Sequence, residues 1–214
     1  MRPPHAAGIA RGCAVAVGLI ITAVAGAATG QQETSQSPLT LASGRVSIAG
    51  TSNIHAYTAS TDVVRVRRVQ LAHGVMAPNL WDRIVTPGAV DLFEVAIPAA
   101  TLSSPNDGLD KNMLKALKAT EHPDIVFRLL RLEPRAGAPG ALRADGLLQI
   151  AGVEREVAFH LTTERTDAAL KVQGTLDLQM TDYGIKPPTA MLGMLKTDPK
   201  VTVTFETLLA VPLT

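Results

Sequence analysis

GTSNIHAY, residues 50–57, sets Ser52 three residues ahead of His55, a spacing that could hold a nucleophile beside a base. Activating the hydroxyl would also need an acid to orient the imidazole and donors for an oxyanion, and neither is evident nearby. A turn in which Ser52 or Asn53 bonds the local backbone accounts for the same residues. TDYGIKPP, residues 181–188, offers a second polar group. Asp182, Tyr183 and Lys186 could contact a ligand at the rim of a pocket, while Gly184 and the two prolines describe a turn. The histidines at 5, 55, 73, 122 and 160 are dispersed, with no pair at metal-ligand spacing and no G-x-S-x-G turn. RVRR, residues 65–68, gathers three cations on an expected strand and reads as a solvated face. The expectation is therefore a protein that is not an enzyme and holds no metal or obligate cofactor. Its polar candidates, Asn53, His55, Asp182, Tyr183 and Lys186, would orient a ligand.

The elements that must position these residues are mostly strands. LKVQGTLDLQM puts Leu170, Val172, Leu176, Leu178 and Met180 on one face and Lys171, Gln173, Thr175, Asp177 and Gln179 on the other. That period of two is the mark of a half-buried antiparallel strand. VEREVAFHL alternates Val153, Val157, Phe159 and Leu161 against Glu154, Glu156 and His160. Val201, Val203 and Phe205 alternate with threonines and Glu206, and Phe93, Val95 and Ile97 share a face ahead of Pro98. Further strands are expected near Ile125 and Leu142. Turns are expected at 133–140, 151–154 and 166–169, giving about seven or eight strands. So many strands with short connections suggest a sandwich or a closed up-and-down barrel.

Helix is scarce. Residues 108–119 place Leu109, Met113, Leu114 and Leu117 on one face flanked by Lys111, Lys115 and Lys118, and Pro123 forbids continuation into the next strand. A weaker apolar piece, MLGMLK at 191–196, precedes Asp198-Pro199 and a final strand. Two amphipathic pieces feeding strands suit the cover of a container made from sheet.

The N-terminus reads differently. Arg2 and Arg11 precede CAVAVGLIITAVAGAA and a small-residue run, the pattern of a cleaved secretory signal over residues 1–30. A retained membrane anchor is the competing reading, since the run approaches the ~18 residues of a span. Its alanine and glycine content and the A-x-A choices at its end favour cleavage. Residues 31–40 then read as a polar linker and 41–214 as one domain. Removing two arginines and no acid turns a net charge of +1 into −1, which leaves nothing to attract nucleic acid. The single cysteine, Cys13, leaves with the signal, so the exported fold would rest on its core and not on disulfides. Hydrophobic residues make up 46% of the chain and aromatic ones only 3%, so aliphatic side chains must build either a packed core or the walls of a lumen.

Several segments in order resemble the YceI-like family of bacterial lipid- and polyisoprenoid-binding domains. They are RVSIAGTSNIHAYTAS, FEVAIPAATLSS, LDKNMLKALKATEHPDIVF, ADGLLQIAGVEREVAFHL and MTDYGI, spread from about Leu39 to Val211. The sequence departs from the family where His55-Ala56-Tyr57 replaces a more usual His-Asp/Glu-Trp. Residues 73–89, which hold the lone Trp81, match no segment of the pattern. The resemblance implies an all-β fold: an antiparallel, lipocalin-like β-barrel of about eight strands with one or two short helices. It also implies a lumen that takes a long isoprenoid or similar amphiphile, with the 108–119 helix covering or flanking it.

The expected function is an exported protein, periplasmic or secreted, that carries or sequesters a polyisoprenoid, an isoprenoid quinone or a comparable lipid. The lumen would be lined by Phe93, Val95, Met113, Leu117, Phe127, Phe159, Val172, Leu176, Leu178 and Phe205. The alternative is a structural or stress-related interaction protein with a packed barrel core. The expected partner is an apolar lipid, with no nucleic acid and no stable membrane span after cleavage; a homodimer is one candidate assembly.

Overall fold

The computed structural model describes residues 38–75, 80–166, 168–190 and 195–211. The expected signal, residues 1–30, and most of the expected linker lie outside them. So do residues 191–194, the first part of the second apolar piece. The linker's last residues belong to the folded domain, where Leu39 is only 1% exposed and the first strand begins at Thr40.

The strands are β1 (Thr40–Ser52), β2 (Ala56–Thr61), β3 (Arg65–Leu71), β4 (Val90–Pro98), β5 (Asp124–Pro134), β6 (Ala141–Ile150), β7 (Val153–Arg165), β8 (Ala169–Gln179), β9 (Thr189–Ala190) and β10 (Leu195–Ala210). Two α-helices interrupt them, α1 (Leu80–Arg83) and α2 (Asp107–Ala116). Nine strands form one antiparallel sheet in the order β2-β1-β10-β8-β7-β6-β5-β4-β3, and β9 pairs with β10 beside it. The sheet curls into a half-barrel, which bears out the antiparallel, lipocalin-like fold that the resemblance implies. Its end strands are β2 and β3, which share no ladder among the described residues. Instead β2 is held across the gap by a bridge from Ser60 to Ser103.

Local chemistry explains the connections. β6 and β7 are joined through Ala151 and Gly152, at φ 51° and 82°. Two left-handed residues in a row make a type I′ turn, whose twist matches the flanking strands. Residues 45–60 form a hairpin, β1 to β2, so the described sheet holds nine strands where about eight are expected. Ser52 is the reason: its Oγ accepts from the backbone N–H of Ile54 and His55 and donates to His55 O at 2.8 Å. The Ser52–His55 pair is thus a turn.

Two other boundaries differ from expectation. α2 stops at Ala116, with Leu117 as its C-cap, because Lys118 takes a left-handed φ of 51° and its carbonyl collects the N–H groups of Glu121 and His122. The last strand does not wait for Pro199 but runs through it. Its register against β1 shifts there, Gly50 facing Val201 and Ser52 facing Thr197, and an irregularity of this kind lets a strand hold a proline. The cations of RVRR lie on β3, where a register shift lets Arg67 and Arg68 both approach buried Glu94 of β4. Arg67 also bonds Asp124 at 2.5 Å.

Candidate functional site: an apolar cavity inside the curled sheet

Side chains of β1, β2, β4–β8 and β10 line a cavity of about 310 Å³ within the sheet. The size falls at the lower end of small-molecule sites. Val95 and Ile97 of β4, Ile125 and Leu129 of β5, Leu142 and Leu148 of β6, and Leu176 and Leu178 of β8 all face it. The period of two predicts this arrangement: alternate residues point inward, and the other set meets water. α2 adds Leu109, Met113 and Ala116, and its C-cap Leu117 adds a fourth side chain. No side chain of α2 is buried, so the helix presents its apolar face to the cavity while staying half-exposed.

Three phenylalanines ring the middle. Phe159 stands 5.5 Å from Phe127 and 5.6 Å from Phe205, tilted toward the first and edge-on to the second. Such tilted arrangements match the positive edge of one ring to the negative face of another. Gly146 and Gly174 make room for them: a Cβ on Gly146 would clash with the Phe127 ring, and one on Gly174 with the Phe205 ring. Both rings therefore pack directly over glycine backbone in the wall.

The two ends differ. At one, Val75, Leu80, Trp81, Ile84 and Ala89 are buried with Leu39, Leu170 and Leu209. α1 is tied to β7 there by an ion pair of Asp82 with Arg165. The described residues of the 73–89 segment, 73–75 and 80–89, thus form a stopper. At the other end, Tyr183 sits among Leu148, Ile150, Leu178, Ile185 and Val201, with Ala116 and Leu117 packed against that cluster. Tyr183 ends a 3-10 turn, Met180–Tyr183, which Gly184 closes in the left-handed conformation at φ 67°. The tyrosine is 2% exposed and its hydroxyl is, among the described residues, the one buried side-chain polar atom without a hydrogen-bond partner. Burial pushes the phenol up from 10.0 to about 12; the Asp182 carboxylate adds to the shift and the Arg155 guanidinium partly offsets it.

All ten expected lining residues, Phe93, Val95, Met113, Leu117, Phe127, Phe159, Val172, Leu176, Leu178 and Phe205, stand in the cavity wall. Of the expected rim residues only Tyr183 does. Asn53 and His55 are exposed on the β1–β2 turn, where Asn53 Oδ1 accepts from Lys196 N at 2.8 Å. Asp182 and Lys186 are exposed, and the Asp182 carbonyl accepts from Arg155 Nε at 3.0 Å. The wall also includes Val46, Ile48, Val64, Ile84 and Leu102, which the expected list lacks. The alternation in RVSI could have found the first two; the others come from turns and the stopper, where no single period holds. The wall contains no charged side chain among the described residues. Nor do the described residues include a group of three or more His, Cys, Asp or Glu able to hold a metal.

A family model for the YceI-like domain matches residues 50–209. The chain belongs to the YceI-like family. No curated protein matches it. Among solved structures, this YceI-like chain is similar to BcnA of Burkholderia cenocepacia, at 15% identity and a TM-score of 0.60 over 78% of this chain and 96% of that one. A polyisoprenoid-binding domain from Saccharophagus degradans, implicated in plant cell wall breakdown, aligns at 15% identity and 0.60 over 83% and 100%. The YceI protein of Campylobacter jejuni aligns at 13% and 0.53 over 73% and 85%. At these identities the likeness carries the fold, and the cavity must speak for itself.

Proposed function

We propose that this YceI-like protein is a binding protein that carries or sequesters a polyisoprenoid, an isoprenoid quinone or a similar long-chain lipid in the cavity. The observation that carries the reading is the wall itself: mostly aliphatic and aromatic side chains from β1, β2, β4–β8, β10 and α2, with no charged group among the described residues. Water in such a space would lack the partners it needs, so an apolar molecule is the favourable occupant. Its burial contributes about 25 cal/mol per Å² of apolar surface, and the few polar atoms orient it. The Saccharophagus domain, described as polyisoprenoid-binding, supports the choice of ligand class. The open cavity favours a carrier over a protein with a packed barrel core.

Organic extraction of protein purified from its own host, followed by mass spectrometry, tests the proposal. A long-chain lipid in near-stoichiometric amount is the expected result; repeated extraction that yields none would count against it. We also propose export to the periplasm or beyond, supported by the residue pattern of 1–30. Intact-mass measurement of exported protein should place the mature start between Ala28 and Gln32, and a membrane-bound product retaining Met1 would overturn that start.

A further inference from the structure

The Tyr183 hydroxyl is out of place in its surroundings. A buried donor normally has an acceptor, and one without it raises the question of what it meets in use. Asp182, its neighbour in sequence, is exposed, and Arg155 is turned to the Asp182 carbonyl, so neither offers the phenol a partner. The side chain lines the cavity at the α2 end, opposite the end stopped by Trp81. A long molecule with its tail past the three phenylalanines would bring its other end to this hydroxyl.

We infer that Tyr183 is the specificity-determining contact of the cavity, donating a hydrogen bond to an uncharged oxygen at one end of a long apolar ligand. The inference rests on the carrier reading and narrows it to a chemical class: neutral lipids bearing a carbonyl, ether or hydroxyl oxygen. Two classes are disfavoured. A pure hydrocarbon leaves the hydroxyl unpaired, which wastes a buried donor. A lipid whose anionic head enters the cavity would bury a charge where the described wall holds no cation. The raised phenol stays protonated across the physiological range, so it acts there as a donor to an oxygen and not as an anion to a cation.

The test uses the exported domain, the Tyr183→Phe variant and matched probes: geranylgeraniol, a short-chain menaquinone, phytane as the hydrocarbon and geranylgeranyl phosphate as the anion. Radiolabelled probe partitioning between buffer and protein gives the affinities. The parent protein should bind the alcohol and the quinone more tightly than phytane. Tyr183→Phe should weaken those two by about three- to tenfold, the worth of one buried hydrogen bond, and leave phytane unchanged. Unchanged phytane binding shows that the variant's cavity is intact. Equal binding of all neutral probes, insensitive to Tyr183→Phe, would overturn the inference and leave the carrier reading standing. Tighter binding of the phosphate than of the alcohol would overturn the claim of an uncharged head. Leu176→Trp, which fills the lumen from β8, should reduce every probe. If no probe binds the parent, or Leu176→Trp reduces none while still folding, the carrier reading falls and the inference with it.

Discussion

Tyr183 carries a pH signature independent of any ligand. The folded phenol keeps its proton to about pH 12, because the ionised form would sit in an apolar cluster beside the Asp182 carboxylate, whereas the unfolded chain releases it near 10.0. Above pH 10 the unfolded state therefore binds fewer protons than the folded one, and stability falls as pH rises. The contribution is fully present below pH 10 and is lost toward 12, at about 1.4 kcal/mol per pH unit. Tyr57, raised by burial and by Asp198, adds to the same slope, as does Lys200, raised chiefly by its hydrogen bond to Asp177. Comparison with Tyr183→Phe isolates the one group. In urea melts from pH 8 to 11.5, the variant should match or slightly exceed the parent near neutrality, since it removes an unpaired buried hydroxyl. Its advantage should then widen above pH 10. Parallel curves throughout would mean the phenol is not held in an apolar site. At this scale the sequence was a good guide to the lining and a poor one to the rim. Leu176 and Phe205 face inward as strand alternation requires, whereas Asn53 and His55 stand on the Ser52 turn that their residue types also allowed, away from the cavity wall.

α2 shows what an element needs beyond its pattern. Its apolar spacing announced a helix, yet its start depends on Asn106, whose Oδ1 accepts from Gly108 N at 2.9 Å and Leu109 N at 3.0 Å. Its end depends on a left-handed Lys118 and not on the more conspicuous Pro123. With no buried side chain, α2 is held by that cap, by its cavity-facing leucine and methionine contacts, and by Asp110 accepting from Ser104 N at 2.9 Å. Asn106→Ala should cost about 1 kcal/mol, the usual worth of an N-cap. For a domain of this size that is a fall of roughly 2–4 °C in Tm. The more informative readout is release of bound retinol, followed by its fluorescence. A frayed α2 should let retinol leave faster at little loss in overall stability. A lowered Tm with unchanged release would show that the ligand does not pass beside this helix. Elsewhere two boundaries depart from the sequence reading for one kind of cause. The passage of β10 through Pro199 and the stop of α2 are set by a local register shift and a backbone angle, while the hydrophobic period on either side stays the same.

For the whole molecule, the sequence specified a curled antiparallel sheet because nearly every strand carries one apolar face, and such faces must meet one another. It did not specify the stopper. Val75, Leu80, Trp81, Ile84 and Ala89 follow no common period, and their partners Leu39, Leu170 and Leu209 are remote in the chain. What the stopper, the Tyr183 cluster and the phenylalanines over Gly146 and Gly174 achieve together is a domain whose core is incomplete: both ends are packed, and the space between them is walled but not filled. A core of this kind forgoes contacts that a packed one would have, since atoms facing a void lack partners on that side. A ligand of matching chemistry supplies them, and because the unfolded chain has no cavity, it binds the folded state alone. Its stabilisation then grows as RT ln(1 + [L]/Kd), about 2.7 kcal/mol at a hundredfold excess over Kd. Protein stripped by organic extraction and refolded should therefore melt several degrees below the protein as isolated. Adding geranylgeraniol should restore the Tm in a concentration-dependent way. An anionic lipid of the same length should restore less, because the described wall offers its head no cation. If stripped and isolated protein melt together, and neither responds to added lipid, the cavity does not exchange its contents for lipid and the molecule is not a carrier.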